Sequence, residues 1–272
     1  MHAASREALV TVESHLDGLV QGSANAVAIA AQMGTELFDV VEVLDGDRAL
    51  RVAVADASST PAQRTGLIRT VFGGKVSDST LSVLDEAAAR AWSTPREFRA
   101  GLVSLGRRAF LRGAEKQGQL GQVEDELFRL SRVLDREGEL TQLLSDKAAD
   151  PARKRGLLAN VLYGKVNMFT EALALQVIGR PEKNPIDDIT NLVDAAARLQ
   201  DRSVAHVVSA EQLNVGQQAA LADKLGRIYG RAMSIHSEVD PSLLGGMTIR
   251  VDDEMIDGSL AGKIAGLRAN LA

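Results

Sequence analysis

Residues 61–76 read PAQRTGLIRTVFGGKV, and residues 151–166, ninety positions further on, read PARKRGLLANVLYGKV. Eight of the sixteen aligned positions are identical, whereas chance would give about one. The same offset continues toward the N-terminus without a gap, so a common segment of at least forty residues (33–76 and 123–166) is duplicated in tandem. The duplication predicts two copies of one structural unit.

Each copy has a pattern typical of α-helices. Both copies place apolar residues at i, i+4, i+7 and i+11, which is one face of a helix. These residues are Met33, Leu37, Val40 and Leu44 in the first copy, and Val123, Leu127, Leu130 and Leu134 in the second. Residues 60–63 (Thr-Pro-Ala-Gln) outline a capping box with proline at the first helical position, and Asp150-Pro151 repeats the cap and the proline. We expect four to six helices in each copy.

The junction between the copies predicts one long shared helix. After Pro95 only about ten residues precede the opening helix of the second copy. The apolar residues Phe98, Leu102, Leu105 and Ala109 continue through this boundary at helical spacing. We therefore predict a continuous helix over roughly 95–118 that joins the two bundles.

From about residue 203 the apolar period changes from 3.6 to 2, which indicates strands. The predicted elements are a strand at 204–208, a helix opening with a capping box at 209–212, strands at 233–239 and 247–251, a turn at 257–259 and a last helix to Leu271. The fold class predicted for the chain is mainly α, with two tandem helical bundles followed by a small mixed α/β domain (β-α-β-β-α). The predicted domain bounds are 1–104, 105–202 and 203–272.

The composition excludes several classes of function. The net charge is −5 and the pI about 5.5, whereas nucleic-acid surfaces are strongly basic. There is no cysteine, which excludes disulfides and thiolate metal sites. No window approaches the apolar length of a membrane span, and the N-terminus has no signal-peptide pattern. We expect no direct membrane insertion, so a partner must hold the chain at any membrane where it works.

The candidate chemical motifs fail on inspection. The Gly-Lys pairs at 74–75 and 164–165 lack the hydroxyl residue of a phosphate-binding loop, because Val76 and Val166 follow them. The acidic run 252–254 lacks EF-hand spacing and is typical of a solvated turn. The histidines (His2, His15, His206 and His236) are scattered without metal-ligand spacing. We predict no catalytic, cofactor-binding or metal-binding residues, and therefore an interaction protein.

The C-terminal stretch VDPSLLGGMTIRVDDEMIDGSLAGKIAGLRANL (239–271) carries a specific resemblance. Its elements, in fixed order, are Asp240, Gly245-Gly246-Met247, Ile249-Arg250, Met255-Ile256 and Asp257-Gly258-Ser259. This pattern resembles the C-terminus of the F-type ATP synthase delta subunit family, called the oligomycin-sensitivity-conferring protein family in mitochondria. Residues 105–272 resemble a conventional member, and the first copy resembles the extra bundle of actinobacterial members.

The resemblance implies a non-catalytic stator subunit at the cytoplasmic face of the cell membrane, with no cofactor. In the family, the bundle receives the N-terminal helix of an alpha subunit in a groove between its first and fifth helices, a helix-in-groove mode. The C-terminal domain binds the C-terminal helices of the stalk b subunit. Carried onto the second copy, the groove residues are Ala109, Phe110, Leu173 and Val177, although all four fit an internal core equally well. The resemblance leaves open which copy binds an alpha subunit.

Two other classes of function remain open at this point. A free-standing helical adaptor would share the bundle architecture without joining an ATP synthase. An enzyme that uses a cleft between the bundles and the mixed domain would need a set of perturbed ionisable groups, and the sequence offers no obvious set.

Overall fold

A computed structural model of the chain describes residues 1–146, 148–251 and 254–271. The first elements are α1 (Ala3–Gln21), α2 (Ala26–Gly46), α3 (Arg48–Ala53), α4 (Pro61–Phe72), α5 (Asp78–Ala89), α6 (Pro95–Lys116), α7 (Leu120–Arg136), α8 (Gly138–Ser145), α9 (Pro151–Leu162), α10 (Met168–Gly179) and α11 (Pro185–Leu199). They are followed by β1 (Arg202–Ser209), α12 (Val215–Tyr229), β2 (Ala232–Val239), a 3-10 turn (Pro241–Leu243), β3 (Met247–Val251), β4 (Glu254–Asp257) and α13 (Leu260–Leu271). The predicted fold class is confirmed.

The chain divides into two compact units. Unit 1 comprises Met1–Val123 with Leu143–Glu182, and unit 2 comprises Glu124–Gln142 with Lys183–Ala272. This division follows packing density and not the sequence repeat. The domain bounds 1–104, 105–202 and 203–272 therefore stay a prediction.

The sequence repeat is also a structural repeat. Helices α4 and α9 begin and end ninety positions apart, and so do α5 and α10. Each repeat buries one cation that donates to the carbonyl of an aspartate eight residues earlier. Arg64 donates to Asp56 O at 3.2 Å, and Lys154 donates to Asp146 O at 3.1 Å. The substitution of arginine by lysine thus preserves the hydrogen bond that closes the preceding loop.

Helix α6 is continuous from Pro95 to Lys116, as the sequence predicted, and its role in joining two bundles stays a prediction. Its start is fixed by Thr94, whose hydroxyl accepts a hydrogen bond from the backbone N–H of Glu97 at 3.1 Å. The Glu97 carboxylate accepts from the Ser5 hydroxyl at 2.7 Å and from the His2 backbone N–H at 2.8 Å. These hydrogen bonds, the one from Ser5 above all, lower the pKa of Glu97 to about 2. The first turn of α6 therefore anchors the N-terminus of the chain.

Helices α2 and α6 pack closely through two reciprocal glycine–phenylalanine contacts. A Cβ atom on Gly34 would lie 2.9 Å from the Phe110 ring, and one on Gly106 would lie 2.9 Å from the Phe38 ring. The two rings are themselves 5.8 Å apart between centroids. Each glycine thus makes room for an aromatic ring of the other helix, which brings the two helices together.

The C-terminal sheet has the order β2-β1-β3-β4, with β1 and β2 parallel and the other pairs antiparallel. Helix α12 covers one face with a core that includes Ala205, Val207, Leu225, Met233, Ile249 and Val251.

Three details of the prediction for this region were wrong. The helix predicted to open at 209–212 begins at Val215, where Asn214 and Gln217 form the capping box. Strand β1 continues to Ser209, because that residue still pairs with Val239 and Met247 in the sheet. The short strand β4 was not predicted. Asp252 and Asp253 of the acidic run lie outside the described residues.

Candidate functional site

The four predicted groove residues lie on two neighbouring helices and in the interior of unit 1. Ala109 and Phe110 lie on α6, and Leu173 and Val177 lie on α10, which packs against α6. Phe110 is 6% exposed and the other three are fully buried. Their assignment to a partner-binding groove stays a prediction.

Helix α2 covers this part of α6. Phe38 and Gly34 of α2 contact Phe110, and Phe169 of α10 lies 6.3 Å from Phe110 between ring centroids. Arg180, directly after α10, donates to the Phe38 carbonyl at 3.2 Å and to the Glu42 carboxylate at 2.9 Å. The first repeat therefore contributes directly to the surroundings of the predicted groove residues.

A shallow groove of about 500 Å³ opens where the start of α2 meets the end of α6 and the start of α10. Its lining is mostly apolar and includes Ala24, Val27, Ala28, Ala31, Lys116 and Met168. Met168, the first residue of α10, is 60% exposed. The sequence analysis missed this groove because its lining comes from three separate segments of the chain.

A second exposed apolar surface lies in unit 2, on α13. We call it the C-terminal patch, and it consists of Leu260 (47% exposed), Ile264 (41%) and Leu267 (63%). Met255 and Ile256 on β4 are also exposed, but as consecutive strand residues they point to opposite faces of the sheet. The three α13 residues are spaced i, i+4 and i+7, so they share one face of that helix. Apolar side chains concentrated on one surface mark an interaction site.

The paired glycines and the Asp-Gly-Ser turn of the C-terminal stretch have a structural reason. Gly246 has φ +78°, and a Cβ atom there would lie 2.4 Å from the Gly258 carbonyl oxygen, so only glycine fits. Gly245 O accepts from Leu260 N at 2.9 Å, and Ser259 Oγ caps α13 by accepting from Gly262 N at 2.9 Å. This turn therefore holds the start of α13 against the start of β3 and fixes where the C-terminal patch lies.

The other face of the sheet in unit 2 buries an ionisable pair that the sequence analysis did not find. His236 Nε2 lies 2.9 Å from Glu124 Oε1, and both side chains are under 5% exposed. The His236 ring stacks on Phe128 at 4.4 Å between centroids. Burial alone would raise the pKa of Glu124, but hydrogen bonds from His236 and Ser234 outweigh it and hold that pKa below its ordinary value. The pair thus links α7 to β2. The two residues are 112 positions apart in the sequence, so no local sequence pattern predicts their contact.

His206, on the neighbouring strand, gives the stability a predicted pH dependence. Burial, reinforced by the positive charge of Arg250, lowers the pKa of His206 from 6.5 to about 4. Between pH 6.5 and pH 4 the unfolded chain therefore binds more protons at this position than the folded chain does. The stabilisation that comes from neutral His206 is fully present above pH 6.5 and is lost as the pH falls through this window. Between pH 7 and pH 5 the free energy of unfolding falls, and we expect His206→Asn to make this fall smaller by about 1–2 kcal/mol. Urea unfolding, followed by circular dichroism at both pH values, measures this difference. The same pH dependence in His206→Asn as in the unmodified chain would contradict the prediction.

In the part of the chain that the structure describes, no group of His, Asp and Glu residues is arranged to hold a metal ion. Among the helices of the same residues, none is long and apolar enough to cross a membrane.

Comparison with known proteins gives a family for the chain. The family model described as "ATP synthase delta (OSCP) subunit" matches residues 108–271. Proteins called ATP synthase subunit delta are similar over the whole chain in Corynebacterium efficiens (72% identity, 100% of this chain and 99% of the relative), Corynebacterium glutamicum strain R (71%, 100% of both) and Corynebacterium diphtheriae (68%, 100% of both). The matched region begins inside α6 and includes the C-terminal patch. The chain belongs to the ATP synthase delta (OSCP) subunit family.

Proposed function

We propose that this chain joins the catalytic head of an F-type ATP synthase to its peripheral stalk, through the alpha subunit N-terminal helix at one end and the stalk b subunit helices at the other. As a member of the family, the chain is a non-catalytic stator subunit of the ATP synthase. Neither the free-standing adaptor nor the enzyme alternative gains support from the family match. The proposed location is the cytoplasmic face of the cell membrane, where the chain is peripheral through the complex.

The observation that carries the proposal is the C-terminal patch, which lies within the family-matched residues. Leu260, Ile264 and Leu267 stand on one face of α13, at the spacing by which one helix packs on another. A stalk helix that covered them would remove apolar surface from water, which is the main favourable contribution to association. We therefore propose this patch as the binding surface for the stalk b subunit helices.

For the alpha subunit helix, we propose the α6–α10 pair that carries Ala109, Phe110, Leu173 and Val177. Because these side chains are buried, a helix would first contact the exposed groove at the end of the pair, beside Met168. An amphipathic helix fits such a groove through residues at i, i+3 and i+4.

We expect Ile264→Asp combined with Leu267→Asp to reduce the recovery of b subunit with the tagged chain by about tenfold, because a carboxylate is costly to bury in an apolar contact. Both side chains are exposed, so the chain should stay folded.

Met168→Asp should instead weaken only the binding of an alpha N-terminal peptide. Tyr163→Asp and Val215→Asp, at sites 82% and 84% exposed, are matched controls. Full recovery of b subunit with the double variant would reject the patch assignment.

A further inference from the structure

The last residues of the edge strand of the sheet in unit 2 line a cleft. Strand β2 is at the end of the order β2-β1-β3-β4, so in the described residues it pairs only with β1. The last residues of β2, which are Ser237, Glu238 and Val239, line a cleft of about 580 Å³. An edge strand directs alternate backbone N–H and C=O groups outward, ready to pair with another strand. The cleft is therefore lined in part by an edge strand whose outer side pairs with no strand among the described residues.

One wall of the cleft is basic. Arg129, Arg132 and Arg136 of α7 line it, and their spacing places them along one side of the helix. Arg132 is already held 5.6 Å above the Phe128 ring and 3.6 Å from Glu238. Arg129 and Arg136 are exposed and form no ion pair with the residues that the structure describes. Two guanidinium groups thus remain available to carboxylates.

The cleft also has apolar surface between its charges. Val133 and Val239 line it and are each 43% exposed. A small anion would leave these side chains in water, whereas a peptide would cover them with its own side chains. The overall charge of −5 further disfavours a nucleic acid.

We propose that this cleft binds an extended acidic segment of a partner protein, which pairs with the free edge of β2 as an added strand. Arg129 and Arg136 are seven residues apart on α7, or about 10 Å at 1.5 Å per residue. Carboxylates two or four residues apart on one face of a strand are separated by about 7 or 13 Å. Long arginine side chains span the difference, so acidic side chains at either spacing reach both guanidinium groups, with apolar side chains against Val133 and Val239.

The test uses the full chain and a fluorescein-labelled ten-residue peptide in which glutamate alternates with valine and threonine. Fluorescence anisotropy measures its binding to the unmodified chain and to the double variant Arg129→Gln with Arg136→Gln. The matched control is Arg48→Gln with Arg153→Gln, which removes two exposed arginines from unit 1. Two further peptides replace glutamate by glutamine, or carry N-methyl groups on alternate backbone nitrogens. Circular dichroism checks that each variant is folded.

We expect the cleft variant, the glutamine peptide and the N-methylated peptide each to bind about tenfold more weakly, because each removes charge-assisted or main-chain hydrogen bonds. The control variant should bind as the unmodified chain does. The proposal is overturned if the acidic peptide does not bind at millimolar concentration, or if N-methylation or the loss of both arginines leaves its affinity unchanged. Binding to phosphatidylglycerol vesicles that depends on Arg129 and Arg136, without peptide binding, would assign the cleft to lipid and also overturn it.

Discussion

Replacing Gly106 by leucine is expected to lower the free energy of unfolding of unit 1 by about 3 kcal/mol. The first atom of the new side chain would lie 2.9 Å from the Phe38 ring, and Phe38 is itself only 3% exposed. The ring cannot move away freely, because it packs against Phe110. Trp92 is the only tryptophan and is buried in the same unit, so its fluorescence during urea unfolding provides the measurement.

The control for this prediction is a glycine in an open helical position. Gly66 lies in α4, and a Cβ atom added there would have no neighbouring atom within 4 Å, so Gly66→Ala should stabilise the protein by about 0.5–1 kcal/mol. Adding Phe38→Ala to Gly106→Leu should recover part of the loss, because it makes room for the leucine. Equal effects of substitution at Gly106 and Gly66 would mean that α2 and α6 do not pack through these glycine–phenylalanine contacts.

Replacing His236 by alanine is expected to cost unit 2 about 2–4 kcal/mol, because it leaves the buried Glu124 carboxylate without its closest partner. Gln200 still donates to Glu124 at 3.0 Å, which limits the loss. The stacking on Phe128 is lost as well. Urea unfolding by circular dichroism measures the cost, and hydrogen exchange in β1 and β2 shows whether it falls on unit 2.

Comparison of single and double variants separates charge from packing. Glu124→Leu combined with His236→Leu should cost less than the sum of the two single changes, since no unpaired charge remains in the interior. The low pKa of Glu124 also makes stability depend on pH. The stabilisation by the Glu124 carboxylate is present above pH 4.5, the ordinary pKa of glutamate, and is lost as the pH falls below that value. A loss below about 0.5 kcal/mol for His236→Ala would show that the pair is hydrated and not buried.

The sequence predicted those parts of the fold that depend on local signals. The offset of ninety residues indicated the equivalence of α4 with α9 and of α5 with α10, because the same caps and apolar stripes recur. The uninterrupted stripe through Phe98 and Ala109 indicated the shared helix. The start of α12 was missed because two capping patterns lie close together, and strand pairing of Ser209 decided between them.

The candidate surfaces depend on tertiary packing, and the sequence predicted them less well. Phe110 has the same local pattern whether it faces a partner or the interior. It is covered by Phe38 and Gly34, more than seventy residues away, and by Phe169. The Glu124–His236 contact joins residues 112 positions apart. The sequence analysis did not identify the C-terminal patch, because amphipathic spacing alone does not distinguish an exposed face from a buried one.

The most direct test of the proposed stator function is affinity purification of the tagged chain from detergent-solubilised membranes of its own organism. Mass spectrometry identifies the copurifying proteins, and the ATPase activity of the eluate is measured with and without azide. We expect alpha and b subunits to copurify with azide-sensitive ATPase activity. A folded chain that elutes without either subunit and without ATPase activity would contradict the proposal.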